Sequence, residues 1–315
     1  MGKTFKNPLL DPGPDPWVYK ENDMYYLMIT IGNRLDLWKS RTLSGISKGE
    51  CKTIWTPPLA GINSKNIWAP EIHRINGKWY VYFTANDGVG DDESRKIFVL
   101  ENNSEDPFTG QWIERGYVNT EYPGLDGTVF EYKDQLYFVY AGYGHFPAYG
   151  SALYIAEMTD PWTLTGENVM LTKPEYEWEM QGGMAINEGP VILKRKSKVF
   201  LVYSASATWS DDYSLGMLTL SANSDVMKPS AWEKSTQPVF KKSLENKVFA
   251  PGHNSFVESP DGTEDWIVYH AIPESEGGGQ RSTRIQKIYW KADGTPEFGI
   301  PLATDDLIPV PSGED

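Results

Sequence analysis

The chain has 315 residues, with 29 Lys and Arg against 43 Asp and Glu, a formal net charge of −14. So acidic a chain repels a phosphate backbone, and no stretch approaches the roughly 18 apolar residues of a membrane helix, so neither nucleic-acid binding nor membrane insertion is expected. A single cysteine, Cys51, forbids an internal disulfide or a cysteine-based zinc site.

In chain order, the first residues, Met1-Gly-Lys-Thr-Phe5, lack an apolar signal core. A periplasmic or extracellular location is expected if an export signal has been removed, and a cytoplasmic one otherwise. A run of aromatic and β-branched residues then recurs roughly every 60 residues. The five copies are Met24–Thr30, Lys78–Thr84, Gln135–Ala141, Lys198–Ser204 and Asp265–Ala271. Turn-forming pairs precede them, Asn22-Asp23, Asn76-Gly77, Lys133-Asp134 and Lys196-Ser197, with Asp261-Gly262 slightly further upstream of the fifth. These read as strands entered from tight hairpins. A weaker echo follows four of the runs, at Ile97–Glu101, Leu153–Glu157, Leu215–Thr219 and Arg284–Ile288. No segment shows a sustained helical period. About four strands repeated five times predict an all-β fold, a five-bladed β-propeller, with residues 1–315 as one domain. A β-sandwich with aromatic strands is the alternative.

Ahead of each run stands a polar residue: Asp15, Glu71, Asp126, Glu188 and His253. The first strand of a propeller blade lines the central axis, so these five are expected at equivalent places around one mouth. Carboxylates so crowded raise one another's pKa, which invites a functional explanation. Each also has an ordinary reading. Asp15 and Asp126 adjoin Pro16 and Gly127, where Asp commonly makes a turn; Glu188 suits a solvated loop, and His253 a hydrogen-bonded structural role. Their shared phase favours a site. The acidic stretch Asp87–Glu93 lacks a calcium-loop spacing and reads as a solvated loop.

Six motifs carry a resemblance: Pro14-Asp-Pro-Trp-Val18, Trp68-Ala-Pro-Glu-Ile72, Asp126-Gly-Thr-Val-Phe130, Asn187-Glu-Gly-Pro190, Pro251-Gly-His-Asn-Ser255 and Arg281-Ser-Thr-Arg-Ile-Gln286. Their order and spacing, from about Asn7 to Gly299, resemble glycoside hydrolase family 43. The resemblance implies a five-bladed propeller and an inverting O-glycosyl hydrolase. It implies Asp15 as general base, Glu188 as general acid, and Asp126 as the carboxylate that orients the acid and raises its pKa. Glu71 matches a pocket-lining position. His253 matches an axial histidine, either helping to hold a calcium or sodium ion through waters or standing in a water-filled channel; the chemistry itself needs no cofactor. Arg284 looks like the arginine that reaches the pocket, with Arg281 as its rival. Trp17 and Trp68 are candidate sugar platforms, or else core or rim residues.

The segments Tyr203–Thr208 and Arg281–Gln286 look most like the α-L-arabinofuranosidase branch. An exo-acting enzyme on arabinose- or xylose-containing oligo- or polysaccharides is therefore expected. β-D-xylosidase, arabinanase and galactanase are the family alternatives, and the additional β-sandwich domain of many β-xylosidases is not expected here. A non-catalytic glycan-binding propeller is the alternative from another class. Such a module has no need for three mutually repelling carboxylates.

Overall fold

The computed structural model describes residues 2–90, 92–276 and 279–314. Asp91, within the acidic stretch Asp87–Glu93, lies outside them. After a short strand β1 (Thr4–Phe5), blade I comprises β2 (Trp17–Glu21), β3 (Met24–Met28), β4 (Leu35–Ser40) and β5 (Glu50–Trp55). Blade II holds β6 (Lys65–Ile75), β7 (Lys78–Asn86), β8 (Lys96–Asn102) and β9 (Ile113–Tyr117). Blade III holds β10 (Gly124–Tyr132), β11 (Gln135–Gly142), β12 (Ala152–Asp160) and β13 (Thr163–Thr172). Blade IV is β14 (Asn187–Arg195), β15 (Lys198–Ala205), β16 (Ser214–Ser221) and β17 (Trp232–Lys234). Blade V is β18 (Phe249–Glu258), β19 (Asp265–Ile272), β20 (Ser282–Trp290) and β21 (Pro296–Glu297), and β22 (Ile308–Pro309) follows.

Each blade is one antiparallel four-stranded meander. The aromatic runs are the second strands, β3, β7, β11, β15 and β19, and the weaker echoes are the third. The expected hairpins also form. At Asn76-Gly77 and Lys133-Asp134 both turn residues have positive φ (50° and 82°, 51° and 63°), the backbone that matches right-handed strand twist.

The second strands are aromatic because both their faces are covered. Strand β7 is buried from Trp79 to Asn86, for example. Apolar clusters fill the space between every pair of successive blades, including Val18, Tyr25 and Leu27 of blade I against Val257, Trp266 and Val268 of blade V. That last contact closes a ring. The fold is the predicted five-bladed propeller, not a two-sheet sandwich.

Both terminal segments tie the closure. β21 pairs only with Tyr289 and Trp290, which leaves the other end of β20 open. The N-terminal segment fills it: Thr283 N donates to Leu10 O at 2.8 Å, and Asn7 Nδ2 donates to Ile285 O at 2.9 Å. Strand β1 pairs with β22, and Glu314 accepts amides from Leu43 and Ser44 of blade I. Among the described residues only three-residue helical turns interrupt the strands, and no helix is long and apolar enough to cross a membrane.

Candidate functional site

Each first strand carries a bulge at its axial start. The register skips two residues between Trp68 and Glu71, Leu125 and Thr128, Glu188 and Val191, and Gly252 and Ser255. In blade I, Thr30 N donates to Pro14 O and pairing resumes at Trp17, so Asp15 and Pro16 are the corresponding pair. The first skipped residue has left-handed backbone in all five blades: Asp15 (φ 53°), Ala69 (43°), Asp126 (55°), Gly189 (53°) and His253 (44°). Such a bulge breaks the strand alternation and turns a side chain toward the axis.

This corrects the expected register. Only Asp15, Asp126 and His253 occupy equivalent positions. Glu188 stands one residue earlier, and Glu71 falls two residues after its blade's counterpart, Ala69. Spacing from the runs cannot register a bulge, so neighbouring positions look alike in the sequence.

The bulged amides reach across to the preceding blade. Ala69 N donates to Thr30 Oγ1 (2.6 Å), Asp126 N to Thr84 Oγ1 (3.2 Å), His253 N to Ser204 Oγ (2.8 Å) and Asp15 N to His270 Nδ1 (3.1 Å). In blade III the corresponding residue is Ala141, paired with Leu125, and its methyl group offers no acceptor. The Gly189 amide instead donates to Asp126 Oδ2 at 3.0 Å. Ala141→Ser is therefore expected to draw that amide back to β11. Losing this donor would raise the Asp126 pKa further, which ¹³C NMR titration of the labelled carboxyl measures. An unchanged titration would mean the new hydroxyl does not compete.

A pocket of about 360 Å³ opens at this mouth, lined by Asp15, Trp68, Asp126, Glu188, His253 and Arg281 together with loop residues. Arg281 Nη1 donates to Asp15 Oδ1 at 2.6 Å, while His270 and His253 place Nδ1 at 3.2 and 3.4 Å from the same oxygen. Burial alone would raise the Asp15 pKa. The Arg281 charge and the two imidazoles outweigh it and hold this carboxyl well below its ordinary value. Glu188 behaves oppositely. Burial, aided by the Asp15 charge, pushes it up to about 7 against the pull of a 2.8 Å hydrogen bond from Tyr213 OH. Asp126 is raised as well, by burial first and then by the charges of Glu188 and Asp15.

The Glu188 and Asp15 sides of the pocket are joined through two rings. The Tyr213 ring stacks on His270 with centroids 5.6 Å apart and planes 10° from parallel. Gly252 permits this approach, since a Cβ there would lie 2.3 Å from the Tyr213 ring. Asp126, Glu188 and His253 offer atoms all within 4.8 Å of one another, and neither side-chain amide atom of buried Asn254 has a partner.

The other sequence candidates lie elsewhere. Glu71 is buried outside the pocket lining, with its carboxylate 2.9 Å from His73 Nε2, and burial raises its pKa. Trp17 packs on His73, centroids 4.8 Å apart, and lines a separate cavity bordered by the far halves of the first strands. Arg284 is buried, donates to Thr304 Oγ1 at 3.1 Å, and does not line the pocket. Arg281 precedes β20 and lines the mouth; Arg284, three residues on, has turned toward the C-terminal segment. The loops add Asp92, Tyr143 and Trp209, which no motif marks, and Thr208 from the end of the Tyr203–Thr208 segment. Tyr213 and His270 also escape sequence reasoning, although His270 lies inside a recognised run.

The profile of the Glycosyl hydrolases family 43 matches residues 5–296. The chain belongs to family 43. An "Extracellular exo-alpha-(1->5)-L-arabinofuranosidase" of Streptomyces avermitilis is 41% identical over 98% of this chain, which spans 65% of that relative's length. The same description attaches to a Streptomyces chartreusis protein, 42% identical over 85% of this family 43 chain and 82% of its own. Among solved structures, an α-L-arabinofuranosidase from Lactobacillus brevis superposes with a TM-score of 0.89 at 38% identity, covering 96% of this chain and 98% of that one.

Proposed function

We propose that this family 43 chain is an inverting, exo-acting α-L-arabinofuranosidase that releases terminal arabinose from plant oligo- or polysaccharides. The observation that carries the reading is one pocket holding carboxyls of opposite protonation, Asp15 depressed and Glu188 raised to about 7. An inverting glycosidase needs that pair, one ionised and one protonated, on opposite faces of the sugar. Asp15 takes a proton from water as the water oxygen attacks the anomeric carbon. The glycosidic C–O bond breaks, and Glu188 delivers its proton to the departing oxygen. Asp126 orients the acid from the adjoining blade.

Arabinose is favoured by the relatives, whose names specify it. Two of those names also say extracellular, and an exported location suits a polysaccharide substrate. An axial calcium or sodium ion fits the residues present, because such cations prefer oxygen ligands and unpartnered Asn254 and nearby His253 could hold its waters. It would supply positive charge to offset that of the neighbouring carboxylates.

The test is parallel hydrolysis of aryl α-L-arabinofuranoside and aryl β-D-xyloside, with the anomer released followed by NMR. Turnover of the arabinoside with inversion is expected. Preference for the xyloside, or retention of configuration, would overturn the reading.

A further inference from the structure

Of 12 tryptophans in the chain, Trp209 alone is exposed, at 59% of its surface. It nevertheless lines the pocket. An exposed indole gains nothing for the core, so its placement calls for another account.

The loop holds this ring still. Trp209 Nε1 donates to Gly182 O at 2.9 Å. Ala207 N bonds Gln181 O at 3.0 Å, Ser210 N bonds Ala207 O at 2.9 Å, and Tyr213 N bonds Ser210 O at 3.0 Å. Gly182, at φ 76°, lets the two loops touch, since a Cβ there would lie 2.8 Å from Ala207 and Ser210. The other tryptophan of the pocket, Trp68, has the Arg95 guanidinium over its ring at 3.6 Å. Trp209 is thus the uncovered ring.

Direction follows from the blade. Trp209 sits between β15 and β16 of blade IV, the blade that also carries Glu188. A general acid touches the oxygen of the leaving group, so the wall it shares faces the sugar that departs. We propose that Trp209 is a stacking platform for the leaving-side sugar, which makes an oligosaccharide the preferred substrate over a simple glycoside. The proposal rests on the reading of Glu188 as acid.

The experiment compares α-1,5-linked arabinotriose with methyl α-L-arabinofuranoside, using wild type, Trp209→Ala and Trp209→Phe. The kcat/KM ratio of trisaccharide to methyl glycoside is expected to fall about tenfold in Trp209→Ala, mainly through KM, with most of it restored in Trp209→Phe. Fluorescence titration of Glu188→Gln with arabinotriose gives a second readout. Its change in indole emission should disappear when Trp209→Ala is added. An equal loss on both substrates, or an emission change that survives Trp209→Ala, would overturn the platform. If wild type cleaves neither glycoside, the arabinose assignment fails instead. The titration with xylo- and galacto-oligosaccharides then decides: a Trp209-dependent change upholds the platform, and none refutes it.

Discussion

Asp15→Asn is expected to lower kcat by about 10³–10⁴ on every glycoside, whatever its leaving group. Water must lose a proton in the transition state even when the departing oxygen needs none, so a better leaving group cannot substitute for the base. The amide preserves the shape of the carboxyl and removes its charge. Parallel kinetics with methyl and dinitrophenyl arabinosides measure the effect. A loss confined to the methyl glycoside would assign Asp15 to protonation and reverse its role with Glu188. In wild type, the depressed Asp15 pKa keeps this carboxyl ionised well into the acid range. Activity should therefore persist below about pH 4, the ordinary range of a free carboxyl, and fall only as Asp15 itself takes a proton.

Glu188→Ala should give the complementary pattern. On glycosides with alcohol leaving groups kcat falls by about 10²–10⁴, while a dinitrophenyl arabinoside, which leaves without protonation, keeps most of its rate. The pH profile changes with it. With Glu188 as the proposed acid, wild-type kcat/KM is expected to fall as pH rises through about 7, and in the variant that alkaline limb should vanish. Because Asp126 and Glu188 lie close together and both are raised, the limb reports the pair rather than one residue. An alkaline limb unchanged in Glu188→Ala would sink the acid assignment.

Much of this site is legible in the amino-acid sequence. Asp15, Asp126 and Glu188 stand in motifs whose order resembles the family, and all three meet in one pocket. Arg281 and Arg284 are not separable by motif, because three residues of a strand decide which one faces the mouth. Trp17 resembles a platform from its place beside Asp15. The strand carries it past the pocket to the cavity beyond, where it packs on His73. Trp209 has no motif at all. Its place at the pocket comes from a loop tied to Gly182 in the loop before β14, a contact that no local pattern records.

The sequence by itself determined the strands, their tight turns and their five-fold recurrence. These depend on local causes: aromatic and β-branched residues pack on pleated surfaces, and Asn, Asp and Gly accept left-handed backbone. Tertiary structure decided which side chains share the axis. A bulge shifts the register by a residue that composition does not record, and closing blade V on blade I brings His270 and Arg281 to Asp15 across more than two hundred residues. The opposite pKa shifts of Asp15 and Glu188 are likewise a property of the closed ring. Two carboxyls with nearly the same intrinsic acidity are both raised by burial, and they separate because the fold sets the Arg281 guanidinium and two imidazoles against Asp15, which outweighs burial there and not at Glu188.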